Sequence, residues 1–147
     1  MFAFLLITLA GPRRASAQES VWQQRNPDRS PPPRYNHGMA YDSARGVTIL
    51  FGGIAEVEYG YDGRTWEWDG ATWTLRETTG PSARISPALA YDSARGVTVL
   101  FGGQDGRPNG ETWEWDGSAW TLRATAGPSA RWLHAMTYDS RRGVTVL

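Results

Sequence analysis

The chain repeats itself, and no other feature narrows its folding options as much. Residues 34–53, RYNHGMAYDSARGVTILFGG, return at 84–103 as RISPALAYDSARGVTVLFGG, with 14 of 20 positions identical at an offset of 50. A second block does the same: TWEWDGATWTLR at 65–76 returns as TWEWDGSAWTLR at 112–123, with 10 of 12 positions identical. Arg131 opens a third copy, RWLHAMTYDSRRGVTVL, which runs to Leu147. A module copied in this way buries its apolar face against its own neighbours, so fold class follows from what one unit can form.

One unit reads as four short strands, a to d, because tracts of β-branched and aromatic residues alternate with turn chemistry about every ten residues. Strand a is expected near Ala88 to Tyr91. Asp92-Ser93-Ala94-Arg95-Gly96 then forms a turn whose glycine supplies positive φ. Strand b is Val97 to Phe101, apolar enough to be buried on both faces, and Gly102-Gly103 ends it. In strand c, Thr112 to Trp115, alternation places both tryptophans on one face and Thr112 with Glu114 on the other. Asp116-Gly117 turns the chain into strand d, Ala119 to Arg123, where Trp120 and Leu122 share a face.

These residues carry a resemblance. Paired glycines, an aromatic about a dozen residues on and a tryptophan seven residues later make the unit similar to the kelch repeat, within the superfamily that includes the galactose oxidase central domain. Gly52-Gly53, Trp66 and Trp73 carry it in the first unit, and Gly102-Gly103, Trp113 and Trp120 in the second. The period near 50 agrees. Trp66 and Trp113 stand where that repeat usually has tyrosine, which keeps an aromatic wedge. The resemblance implies an all-β, partial kelch-type β-propeller of four-stranded antiparallel blades. Blades are then expected at 34–83 and 84–130, with an unfinished third at 131–147. Residues 18–33 hold a Pro-rich link and, at Trp22 to Arg25, an orphan strand d of the kind that closes propeller rings. Two complete blades do not close a ring of about four to eight, which implies a fragment of a larger propeller whose remaining blades lie elsewhere in a longer chain.

Met1 to Ala10, MFAFLLITLA, is apolar but too short to span a bilayer, and Ala15-Ser16-Ala17 has the small-x-small form that signal peptidase accepts. Residues 1–17 therefore read as a secretory signal, which places the mature chain outside the cell, in the periplasm or on the cell surface, with no membrane span left. With 15 Lys+Arg against 15 Asp+Glu, the chain lacks the basic stripe that nucleic acid requires. The absence of cysteine removes disulfides, thiolate catalysis and Cys-ligated metals, and with them the Tyr–Cys radical cofactor of galactose oxidase.

Repetition also sorts the polar residues. His37 and His134 share a repeat position that Pro87 fills in the middle unit; a metal role is conceivable, but packing is favoured because no acidic cluster recurs with them. Glu67 with Asp69, and Glu114 with Asp116, recur in each unit and read as turn and strand-edge polarity rather than catalysis. Arg84 and Arg131 recur in Pro-Ser-Ala-Arg links and are demoted on the same ground. Six of the eight tryptophans are read as packing between blades. No catalytic residue, metal site or cofactor is assigned.

Function is expected where the copies differ, which is between strands b and c. There the first unit has IAEVEYGYDGR at 54–64 and the second QDGRPNG at 104–110. Tyr59, Tyr61, Asp62 and Arg64, with Gln104, Asp105, Arg107 and Asn109, are the candidate binding residues, placed beside the link before Arg34. Aromatic and polar loops on a rigid scaffold suit a protein or glycan ligand, although the same loops serve equally as plain solvated connections. The leading expectation is a secreted or cell-envelope binding module. The alternative is an enzyme on the same scaffold, oxidase-like or glycan-active, with its catalytic residues in other blades.

Overall fold

A computed structural model describes residues 29–55, 60–76 and 79–147. The expected signal segment, the strand at Trp22 to Arg25 and Tyr59 lie outside the described residues. Thirteen strands and no helix occur among the described residues. In chain order they are β1 (Arg34–Tyr35), β2 (Gly38–Asp42), β3 (Val47–Phe51), β4 (Ile54–Ala55), β5 (Gly60–Tyr61), β6 (Thr65–Trp68), β7 (Trp73–Arg76), β8 (Ala88–Asp92), β9 (Val97–Phe101), β10 (Thr112–Trp115), β11 (Trp120–Ala124), β12 (Thr137–Asp139) and β13 (Val144–Val146).

Two antiparallel sheets of four strands form from consecutive segments, in the orders β2-β3-β6-β7 and β8-β9-β10-β11. Their b–c registers match residue for residue: Leu50 opposes Trp66 as Leu100 opposes Trp113, and Thr48 opposes Trp68 as Thr98 opposes Trp115. The third unit contributes the pair β12-β13. Strands b and c fall where the sequence places them in the second unit. Strand a extends one residue further, to Asp92, and strand d is displaced by one, to 120–124.

The turns explain the register. Asp42 Oδ1 accepts from the amides of Ala44 and Arg45 at 3.0 and 3.1 Å, Asp92 repeats both distances, and so does Asp139. Gly46, Gly96 and Gly143 close these turns at φ of 68°, 69° and 67°, a region in which a Cβ is strained. Asp69 and Asp116 do the same for the c–d turns, each accepting two backbone amides.

The core lies between the first and second sheets. Ile49 and Phe51 of β3 meet Leu89, Leu100, Trp115 and Trp120 from the facing side of the second sheet. Burying each such side chain stabilises by roughly 1.5–3 kcal/mol. Trp115 and Trp120 lie 5.5 Å apart at 42°, nearly the geometry of Trp68 and Trp73 in the first sheet, 5.5 Å at 44°. The recurring tryptophans therefore follow the repeat, and in the second sheet they pack across to its neighbour.

A four-strand reading of each unit misses one feature. β1, β4 and β5 form a small sheet of their own, built from the link and the b–c loop of the first unit.

Candidate functional site

The loops between strands b and c do not stand free, because each is tied to the link of the next unit. Gly53 N donates to Arg84 O at 3.0 Å, and Arg84 N donates to Asp62 O at 3.3 Å. The next unit repeats the clasp, with Gly103 N on Arg131 O at 2.9 Å and Arg131 N on Asn109 O at 3.2 Å. The loops and links thus share one side of the molecule, as expected.

Arginines brace this clasp from below. Arg34 Nη1 donates to Gly52 O at 3.1 Å and pairs with Asp62 at 2.8 Å. Arg84 Nη1 donates to Gly102 O at 3.1 Å, and its Nη2 reaches Ser82 Oγ and Glu111 Oε2 at 2.8 and 2.7 Å. Arg84 is fully buried, so it meets no ligand from solvent.

Asp62 and Arg64 belong to this brace. Burial works to raise the Asp62 carboxyl, but bonds from the Arg64 side chain and backbone, helped by the charge of Arg34, hold it below the usual range. Asp105 is lowered chiefly by the Ser82 hydroxyl at 2.8 Å and also takes the Asn109 amide at 3.2 Å. Asn109 in turn accepts from Glu111 N at 2.8 Å. Gln104 bridges to Ile85 and Pro108 through the backbone, and Arg107 is exposed. Of the candidate residues that the structure describes, Tyr61 and Arg107 present themselves to solvent most fully.

The structure adds Tyr35, which sequence reasoning missed. Tyr35 opposes Ile54, and Ile54 opposes Tyr61, so the three form one cross-strand row on one face of the β1-β4-β5 sheet. Tyr35 is 52% exposed and Tyr61 42%. Two strand spacings put them about 10 Å apart. In the second unit the equivalent row is Ile85, Gln104 and Pro108, with Ile85 buried. The signal was present at the repeat position occupied by Tyr35, Ile85 and Trp132, the residue after each recurring arginine.

At the other end of the strands an open depression of about 380 Å³ is lined by Tyr41, Tyr91 and Tyr138 with Ser43, Ser93 and Ser140. The Tyr91 hydroxyl is buried and faces Asp42 without a well-aligned hydrogen bond; burial first, and that carboxylate second, push its pKa up. Desolvation first, and Asp92 second, push the pKa of Tyr138 up as well. Repetition again marks this contact as one between neighbouring units.

Glu67 corrects the reading of strand-edge polarity. It is buried on an inner strand, where it takes Arg45 at 2.7 Å, Arg76 at 2.9 Å and the indole of Trp115 at 2.9 Å. Among the described residues no group of three His, Asp or Glu is arranged to hold a metal ion, and no helix is long and apolar enough to cross a membrane. No protein-family model matches the chain, and no curated protein matches it.

Proposed function

We propose that the two four-stranded sheets are successive blades of a kelch-type β-propeller, and that the protein is a secreted or cell-envelope binding module for a glycan or protein. Three observations support the propeller: the sheets are copies with one strand order, they pack face to face through repeated tryptophans, and their first strands β2, β8 and β12 lie side by side. The recognition surface is the loop side, and the row Tyr35, Ile54 and Tyr61 carries the assignment. Two half-exposed phenol rings flanking an aliphatic side chain offer apolar faces to a sugar ring or an aromatic side chain, with hydroxyls at their rims. The small sheet holds them at fixed spacing, which lowers the entropy lost on binding.

The test is a glycan and protein array probed with the chain and with Tyr35→Ala, Tyr61→Ala and the double variant. Each single change is expected to weaken capture at least tenfold, as loss of an aromatic anchor does. Unchanged capture by the folded double variant would sink the assignment.

A further inference from the structure

Each b–c loop ends on a related pair, Asp62-Gly63 in the first unit and Asn109-Gly110 in the second. Both side chains turn back on the backbone in the same way: Asp62 Oδ1 accepts from Arg64 N at 2.7 Å, and Asn109 Oδ1 from Glu111 N at 2.8 Å. What surrounds them differs. Asp62 has two arginines, Arg34 and Arg64, for one carboxylate. Around Asn109 the ratio is reversed: the buried Arg84 guanidinium bonds to Glu111 and reaches Asp105 through the Ser82 hydroxyl, so two carboxylates already share that cation.

Asn109 is placed to react with its own backbone. Only Cβ, Cα and the carbonyl carbon separate its Cγ from the nitrogen of Gly110, so a bond between the two closes a five-membered ring. Gly110 N donates no hydrogen bond among the described residues, and no Cβ on its own residue shields it. The Glu111 amide donates to Asn109 Oδ1, the oxygen that takes up negative charge when a nitrogen attacks Cγ, and so acts as an oxyanion donor. Asp105 Oδ2 accepts from Asn109 Nδ2 at 3.2 Å and keeps the carboxamide from rotating away. Asp62 matches this geometry without the reactivity. Its arginines hold it below the usual carboxylate range, and an ionised carboxylate is no electrophile.

We propose that Asn109-Gly110 is a site of self-modification that gives the clasp between the second and third units a finite lifetime. Gly110 N loses its proton and attacks Asn109 Cγ; the N–Cγ bond forms, the Cγ–Nδ2 bond breaks, and Nδ2 leaves as ammonia after taking up a proton. Water then opens the succinimide. Attack at Cγ leaves aspartate, whereas attack at the main-chain carbonyl carbon leaves isoaspartate, whose backbone runs through the side chain and is longer by one methylene. Both products disturb the clasp. Aspartate sets a third carboxylate beside Asp105 and Glu111 and removes the Nδ2 donor that Asp105 uses. Isoaspartate displaces the two main-chain groups of residue 109 relative to each other, and the clasp needs both: its N donates to Gly103 O at 2.8 Å and its O accepts from Arg131 N at 3.2 Å.

Incubating the full chain in mildly alkaline buffer at physiological temperature, beside a synthetic peptide of residues 104–115, tests this. The tryptic fragment 96–123 has Asn109 as its only asparagine, and the exchange of NH2 for OH is read by mass, with the position fixed by fragmentation. Because the fold keeps the oxyanion donor in place, conversion in the folded chain is expected within about tenfold of the rate in the peptide. In Gly110→Ala the added Cβ comes no nearer to Ala130 than 3.4 Å, an ordinary contact, so the variant is expected to fold. Its side chain narrows the backbone angles open to the attacking nitrogen, and conversion is expected to be about tenfold slower. The aged chain should melt below the fresh one, as should Asn109→Asp, while Gly110→Ala aged for the same time keeps its melting temperature. Asparagine still intact in the folded chain once the peptide has reacted, or conversion as fast in Gly110→Ala, overturns the proposal. So does a converted chain that melts as the fresh one does.

Discussion

At the residue scale, the repeat assigns similar work to residues with different chemistry. His37, Pro87 and His134 share one position, and what they have in common is packing against the paired glycines: His37 lies against Gly53, Pro87 against Gly103 and His134 against Gly102. Burial first, then the nearby positive charge of Arg34 or Arg131, holds both imidazoles below their ordinary 6.5. Folding therefore favours the neutral rings, and protonation favours the unfolded chain. The stability these rings contribute is present above pH 6.5 and is lost as pH falls through their lowered values. Thermal melts recorded from pH 8 downward should begin to fall below pH 6.5, and the double variant His37→Gln, His134→Gln should fall less steeply. An equal slope in both chains removes the histidines from the account. The packing role was legible in the sequence because proline, which ligates nothing, fills the same position. The job of Asp62 was not, since its partner Arg34 lies 28 residues earlier and no local pattern announces a pairing of that reach. Glu67 was hidden for a related reason: alternation gave its face, but only the packed sheets show that Trp115 arrives from 48 residues away.

At the element scale, strands b and c were readable almost to the residue. Val97 to Phe101 is a β-branched and apolar run closed by two glycines, and Thr112 to Trp115 alternates cleanly before an Asp-Gly turn. The small β1-β4-β5 sheet was not readable, because two-residue strands have no periodicity to detect and form only when a link and a loop meet. The glycines that end strand b are what permits that meeting. Gly52 sits at φ 76°, and a Cβ built there would approach Arg84 O to 2.6 Å. A carbonyl fixed by the clasp does not move aside as a flexible side chain does. Gly96 has nearly the same backbone, φ 69°, but its Cβ would meet nothing within 4 Å. Gly96→Ala should therefore cost about 1 kcal/mol, the strain of a left-handed residue alone. Gly52→Ala adds the clash and should cost about 2–4 kcal/mol. Chemical denaturation of the two variants measures the difference, and equal midpoints would mean that the clasp yields.

At the scale of the whole molecule, stability is shared between neighbouring units rather than pooled at one centre. Ile49, Phe51 and Leu100 are fully or almost fully buried because the first sheet supplies one wall of a core and the second sheet the other. Neither wall is apolar enough to persist alone, so the two sheets should unfold in a single transition. The pair β12-β13 stands differently. It rests on β8, and Tyr138 faces Asp92, but Val146 and Leu147 are 49% and 41% exposed, where the equivalent Val99 and Leu100 of the second unit are 7% and 0%. Opening this pair exposes little further apolar surface, so its free energy of opening should lie well below that of global unfolding. Amide hydrogen exchange distinguishes the two regimes. The amides of β3 and β9 should exchange together, through the same opening and with the same denaturant dependence, whereas those of β13 should exchange orders of magnitude faster with almost none. If β13 amides were as protected as those of β9, the third unit would belong to the same cooperative core, and a nearest-neighbour account of this fold would have to be abandoned.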